Sequence, residues 1–298
     1  MSSPIDSFRN ARRAIKAKSP FVRRREYTIL AHKYATLIDD LGWRAPLATT
    51  ANILIRKASV EPLVGEVCFF VSHATNAKLK AHVVTHIERL VAQDIKVVLV
   101  VNTDLPMSEI AVSEALTKVL SAVYVRQNIG FDFAAWAHAY ALCSPTRDWT
   151  RLYLINDSIV GPLNDNDFKG MISRLRQSKA DFVGLVESAF PLPHLQSFFL
   201  AFGQSAYSHP VFQRWMANVR CLAEKIHVID VYETRLTQVL RDAGLRGEAL
   251  FPALSGGVHA TDDTVLRWQA LLGAGFPYVK ASVIRQHPRH SAISNLLS

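Results

Sequence analysis

Cysteine is scarce in this 298-residue sequence: Cys68, Cys143 and Cys221 stand far apart, each in an apolar or helical context. Their spacing excludes a disulfide framework and a paired-cysteine zinc site, and it predicts three buried thiols. Long apolar runs are also missing. Stretches such as residues 97–101, VVLVV, fall far short of the roughly 20 residues that cross a bilayer. The basic first residues are followed by no apolar h-region, because His32 and Lys33 interrupt residues 27–38, so no secretory signal is evident and a cytoplasmic protein is expected. No strand is followed by a glycine-rich G-x-G-x-x-G or G-x-x-x-x-G-K-[ST] loop, which argues against dinucleotide oxidoreductases and P-loop NTPases. Internal repeats and low-complexity tracts are absent.

What is present is a chain with 49% hydrophobic and 20% charged residues, enough to bury a core and too apolar to be largely disordered. Its net charge of +9 is concentrated at one end, where residues 1–26 hold eight Lys or Arg against Asp6 and Glu26. Such an arm suits anionic lipid headgroups, at about 1 kcal/mol per basic residue near the surface, or nucleic-acid phosphates. A solvated arm with no ligand is the competing reading. Nucleic acid is not expected as a partner, because no recognised nucleic-acid motif occurs and most of the excess charge lies outside the region described next.

Residues 1–60 read as a basic, mainly helical extension, with a helix over 27–41 ended by Gly42. From residue 61 to 298 the pattern becomes that of one α/β domain. Short β-rich runs at 67–71, 97–101, 122–125, 152–155 and 182–186 alternate with helical segments at 79–91, 109–120, 133–142 and 168–177. A mostly parallel, Rossmann-like sheet flanked by helices follows by default, and in such sheets ligands bind beyond the carboxyl ends of the strands. That rule selects Ser72 and His73, Asn102 to Asp104, Arg126 to Asp132, Asn156 to Ser158, and Glu187. Without a glycine-rich loop, a carboxylate at a strand end can hold a divalent cation, Mg2+ or Mn2+, against a diphosphate. Asp157 is placed for that task.

Six ordered segments resemble the rhamnan synthesis F family of polysaccharide-assembly glycosyltransferases: RQNIGFDFAAW at 126–136, LINDSIVGPL at 154–163, DFVGL at 181–185, HLQSFF at 194–199, Tyr232 and Glu233 with Leu236 and Thr237, and FPYVK at 276–280. Together they cover roughly residues 65 to 290. The resemblance implies a GT-A-like fold and transfer of a deoxyhexose, with dTDP-rhamnose the suspected donor and a growing surface polysaccharide or lipid-linked glycan the acceptor. It also implies inversion, a β-linked donor giving an α-linked product. A lipid-linked acceptor would fit peripheral attachment of residues 1–26 to the inner face of the cytoplasmic membrane.

Several residues acquire roles by that resemblance. The segment 126–132 looks like the one that, in GT-A enzymes, meets the nucleotide or donor sugar. Within it, Arg126, Asn128, Gly130 and Asp132 are donor-side candidates, joined by Ser72, His73, Asn156 and Ser158. Asn128 both donates and accepts hydrogen bonds, Gly130 permits close backbone approach, and Asp132 either receives a sugar hydroxyl or caps the following helix. A tight turn with a helix cap is the alternative.

In the second motif Ser158 stands where many GT-A enzymes carry a second aspartate, so Asn and Ser oxygens would complete a thin metal shell around Asp157. His194, Gln196 and Ser197 are placed on the acceptor side, with core packing the stronger reading for Phe198 and Phe199. Glu233, at the expected start of a helix, matches the acid that deprotonates the acceptor. Such an acid also simply suits a helix dipole, and Asp230 and Glu187 are the reserves. No ligand is assigned among His259, Asp262, Asp263, His287 and His290. A nucleotide-sugar- or glycan-binding protein that keeps the fold without turnover is the alternative from another class.

Overall fold

The computed structural model describes residues 44–59, 62–143, 148–189, 193–252, 262–287 and 290, with isolated positions 11, 26, 29, 30, 32, 33 and 36, which are helical. Most of the basic arm, the greater part of the helix expected over 27–41, and His259 lie outside the described residues.

The fold is mixed α/β. Its principal strands are β1 (Ile53–Lys57), β2 (Gly65–Ala74), β3 (Lys96–Thr103), β4 (Ala122–Gln127), β5 (Trp149–Asn156), β7 (Phe182–Ser188), β9 (Phe199–Gly203) and β10 (Gly247–Phe251). The short pairs β6 (Ile159–Val160) and β8 (His194–Leu195) lie between them, and β11 (Val279–Lys280) follows. Among the described residues the large sheet runs β1-β4-β3-β2-β5-β9-β7-β10, with β8 attached to β7. Strands β2, β3, β4, β5, β7 and β10 share one direction, and β1, β8 and β9 run against it. The sheet is therefore large and mostly parallel, as expected.

Side-chain alternation explains why the central strands are apolar throughout. Val67, Phe69 and Val71 of β2 enter one core with Val98 and Val100 of β3, while Cys68 and Phe70 enter another with Val97, Leu99 and Val101. Both faces are covered, so neither can be polar. One face carries α1 (Ala81–Val91) and α4 (Asp165–Gln177), which contribute Val83, Ile87, Phe168 and Leu175. The other carries α3 (Phe131–Cys143), buried nearly all round. Such a helix has no polar stripe because it has no solvent side. Its Trp136 indole donates to the carbonyls of Phe69 and Ile155, on β2 and β5, at 3.1 and 3.3 Å. All three cysteines are free and buried.

Three expectations change. The helix expected over 109–120 is only α2 (Glu114–Val119), because the Ser113 side chain caps it and Ala111 pairs instead with Lys78. Residues 53–57, on the extension side of the expected boundary, form β1 and pair with β4 at the sheet edge. Glu233 does not open a helix. It ends a π-helical turn, Ile229–Glu233, between α7 (Lys225–Val228) and α8 (Thr234–Asp242), and so lies inside a continuous helical run. The helix-dipole account of its position falls with that finding. No helix among the described residues is long and apolar enough to cross a membrane.

Strand order places the site. The chain steps outward from β2 to β3 to β4, then returns to lay β5 on the opposite side of β2. Strand order reverses between β2 and β5, and a crevice opens at their carboxyl ends.

Candidate functional site at the sheet crevice

Both strands bordering the crevice end in polar residues, and they meet. Asp157, just after β5, accepts through Oδ2 from Ser72 Oγ at 2.9 Å and from the His73 backbone N–H at 3.0 Å, both on β2. Lys80 Nζ, at the head of α1, reaches the same oxygen at 2.6 Å. A cavity of about 510 Å³ opens here, within the roughly 300–1,000 Å³ common for small-molecule sites. Its walls include His73, Asn128, Asp132, Asn156, Asp157, Ser158, Ser197 and Glu233. The structure thus brings together residues that lie up to 160 positions apart in the sequence.

The carboxylates are individually anchored. Asn156 Nδ2 donates to Asp132 Oδ2 at 2.7 Å, and Asn156 Oδ1 in turn accepts from Ser158 N and Oγ, at 3.1 and 2.5 Å. Glu233 Oε1 accepts from Ser197 N at 2.9 Å. Burial raises the Asp132 pKa, the Lys225 ammonium opposes that, and the neighbouring Glu233 adds to it; the net direction is upward. His82, also on the cavity wall, is held below its ordinary value by burial, with Asp157 opposing and Lys80 reinforcing. Its Nε2 is buried and has no hydrogen-bond partner among the described residues.

On the β3–β4 side, His73 Nε2 meets Asp104 Oδ2 at 2.9 Å, and Asn128 Nδ2 reaches both at 3.2 to 3.3 Å. Asn128 sits in a strained turn: Gly130 and Phe131 have φ of +72° and +55°, and the second is unusual for a bulky side chain. A Cβ on Gly130 would lie 2.6 Å from Ala134 Cβ and 2.7 Å from Cys221 Cα. Gly130 is thus needed for packing of the turn, and it does not line the cavity.

Arg126 does not line the cavity either. It is fully buried and donates to the carbonyls of Gln127 and Ile129 at 3.0 and 2.8 Å, while Asn102 Nδ2 donates to the Phe131 carbonyl at 3.0 Å. Together they hold the turn that delivers Asp132. Ser72 is buried and acts on Asp157. His194 and Gln196 are buried behind the wall. Gln196 Nε2 donates to Asp262 Oδ1 at 3.0 Å, and Lys280 Nζ donates to Asp262 Oδ2 at 3.1 Å. Burial would raise Asp262, but Lys280 and hydrogen bonds from Thr264 and Gln196 prevail and hold it below its ordinary value.

Sequence reasoning missed the cavity's cations. Lys80, Lys225, Lys280 and Arg285 line it with His82. Lys280 closes the FPYVK segment that carried part of the resemblance, which was the one available signal. The others come from helix starts or from the far end of the chain, where the strand-end rule does not look.

Asp157 fits only part of a metal site. Its Oδ2 is occupied by three donors, Asn156 Oδ1 is occupied by Ser158, and no group of three or more metal-ligating side chains gathers among the described residues. Asp157 Oδ1 accepts no hydrogen bond from the described residues. That leaves one carboxylate oxygen open, and Mg2+ is an ion that commonly takes only one or two carboxylates and completes its shell with other oxygens.

The fold is that of an α/β protein with a crevice at its switch point, walled by carboxylates and lysines, the place where such sheets bind ligands. Comparison with known proteins is more specific: residues 97–298 match the family described as Rhamnan synthesis protein F, and the chain belongs to that family. It is 29% identical over 171 residues to "Uncharacterized protein y4gN" of Sinorhizobium fredii (strain NBRC 101917 / NGR234), a match covering 55% of this chain and 43% of that one. The chain thus spans less than half of that relative's length. It is 22% identical over 216 residues to "Virulence protein VirA" of Vibrio anguillarum (strain ATCC 68554 / 775), covering 62% of this chain and 69% of that one. The family's description names rhamnan synthesis.

Proposed function

We propose that this protein is a GT-A-type glycosyltransferase that moves a sugar, rhamnose or a related deoxyhexose, from a nucleotide-diphosphate donor to a surface-polysaccharide or lipid-linked glycan, with inversion. dTDP-rhamnose is the proposed donor. The observation that carries the reading is the cavity at the β2–β5 crevice, where Asp157, Asp132 and Glu233 face one space together with four basic side chains. Family membership supports the sugar class.

In this mechanism Glu233 takes the proton of the acceptor hydroxyl. The Ser197 N–H on Oε1 orients its carboxylate, and a positioned base of this kind contributes about 10²–10⁴-fold. Asp132, oriented by Asn156, receives donor sugar hydroxyls, and His73 with Asn128 lies toward the nucleoside. Asp157 and Lys80 stand at the diphosphate, where negative charge grows as the bond to the anomeric carbon breaks. A divalent cation bound at Asp157 Oδ1 would add Lewis-acid stabilisation of that leaving group.

Residues 1–26 are proposed to attach the protein to anionic membrane where a lipid-linked acceptor resides. Loss of liposome binding on their deletion, with transfer intact, supports this; retained binding refutes it. One observation favours a second reading, a nucleotide-sugar-binding protein without turnover: Asp157 Oδ2 is already saturated by three donors. Transfer, or slow hydrolysis, of a nucleotide sugar by the purified protein distinguishes the two, and a Glu233→Gln variant that retained full turnover would remove the proposed base.

A further inference from the structure

We propose that Lys80, Lys280 and Arg285 form a phosphate-binding wall that holds a diphosphate without a divalent cation, Lys80 bridging it to Asp157. The inference rests on the nucleotide-sugar reading above and deepens it.

The three cations come from separate places: Lys80 precedes α1, Lys280 ends β11, and Arg285 lies in α11 (Ala281–Gln286). All three line the same cavity as Asp157. Their settings differ in a way that suits the task. Lys80 is partly exposed, with 39% of its side-chain surface accessible, and gives one hydrogen bond to Asp157. An ammonium has three donors, so two remain for a ligand. Lys280 is more buried, at 20%, and is fixed by Asp262, which is itself held by Gln196 and Thr264. Its Nζ also lies 5.8 Å from the centre of the Phe198 ring, so its position is set before any ligand arrives. Arg285 is exposed at the rim, with no hydrogen-bond or ion-pair partner among the described residues. Its guanidinium has the fork geometry that meets phosphate oxygens in pairs.

Two lysines fixed by aspartates and one free arginine make a graded wall, rigid inside and adaptable at the mouth. Lys225, on α7, also lines the cavity but stands beside Asp132. It is assigned to the sugar end. The buried His82 Nε2, on the second residue of α1 and without a hydrogen-bond partner among the described residues, is a further polar group on this wall. The carboxylate that was expected to recruit a metal thus also positions a lysine that supplies part of the same charge.

The test is calorimetric titration of the full chain with inorganic pyrophosphate, UDP and dTDP, each in EDTA and in excess Mg2+. Binding of pyrophosphate and of at least one nucleotide in EDTA is expected, weakened about tenfold or more by Lys80→Met and by Arg285→Ala. Lys80→Arg should recover most of the loss, and a melting curve for each variant confirms that it folds. Binding seen only with Mg2+ and indifferent to Lys80→Met or Arg285→Ala overturns the wall and leaves the nucleotide-sugar reading standing. No binding of any of the three probes in either buffer overturns that reading as well.

Discussion

Asn156 donates a 2.7 Å hydrogen bond to Asp132, tying the end of β5 to the first turn of α3. The tripeptide at 156–158 therefore spends its Asn and Ser on positioning a neighbouring carboxylate. Asn156→Asp, which adds a second acid to the tripeptide, should not strengthen Mn2+ binding. It should set two carboxylates against each other and cost roughly 1.5–3 kcal/mol, the range of a hydrogen bond to a charged group. Urea unfolding and Mn2+ titration measure the two effects.

Folding raises the Asp132 pKa above its ordinary 3.8, so the native state binds that proton more tightly than the unfolded chain. The carboxyl therefore costs stability increasingly as pH climbs above 3.8, and the cost is complete above its folded pKa. Asp132→Asn should melt higher than the native protein at neutral pH, with an advantage that shrinks toward zero as pH falls toward 3.8. An advantage independent of pH would contradict the assignment.

Glu233→Gln keeps an oxygen for the Ser197 N–H, so its melting temperature should change little. Turnover should fall by roughly 10²–10⁴-fold. Steady-state transfer measured beside a thermal melt separates the two quantities.

Arg126→Met removes the side-chain donor of the Ile129 carbonyl and one of the two donors of the Gln127 carbonyl, in a partly buried turn. A loss of about 1–3 kcal/mol is expected from the lost hydrogen bonds to a charged group, along with weaker donor binding because Asp132 and Asn128 flank that turn. Unchanged donor affinity in a destabilised variant would mean that the turn does not set the site.

Mn2+ should bind weakly to the protein alone and more tightly once a nucleoside diphosphate is present, because Asp157 Oδ1 supplies a single protein oxygen. Paramagnetic resonance of Mn2+ with and without nucleotide tests this. Tight binding to the protein alone would show that a fuller ligand shell exists.

The alternation of β2, α1, β3, β4, α3, β5, α4 and β7 was legible in the sequence because each element is a local apolar pattern. Less legible were β9 and β10. The run FLAFG at 199–203 looks like ordinary core, and only its pairing between β5 and β7 makes it an antiparallel insertion. The helix expected at 109–120 was too long because Ser113 stops it, a capping effect that periodicity overlooks. Of the residues selected by strand ends, Asp157, His73, Asn128 and Asp132 line the cavity. Arg126 followed the same rule yet turned inward, since nothing local says whether a strand-end arginine meets ligand or backbone. Lys225, Lys280 and Arg285 join the cavity wall only through tertiary packing.

The central claim is that a nucleotide sugar occupies the β2–β5 crevice against Asp157. A calorimetric screen of nucleotide sugars on the native chain and on Asp157→Ala, with Mg2+ or Mn2+ present, tests it most directly. The account predicts that one donor class, with dTDP-rhamnose the first candidate, binds the native protein and loses that binding in the variant. Absence of binding by any nucleotide sugar, or binding untouched by Asp157→Ala, would contradict it.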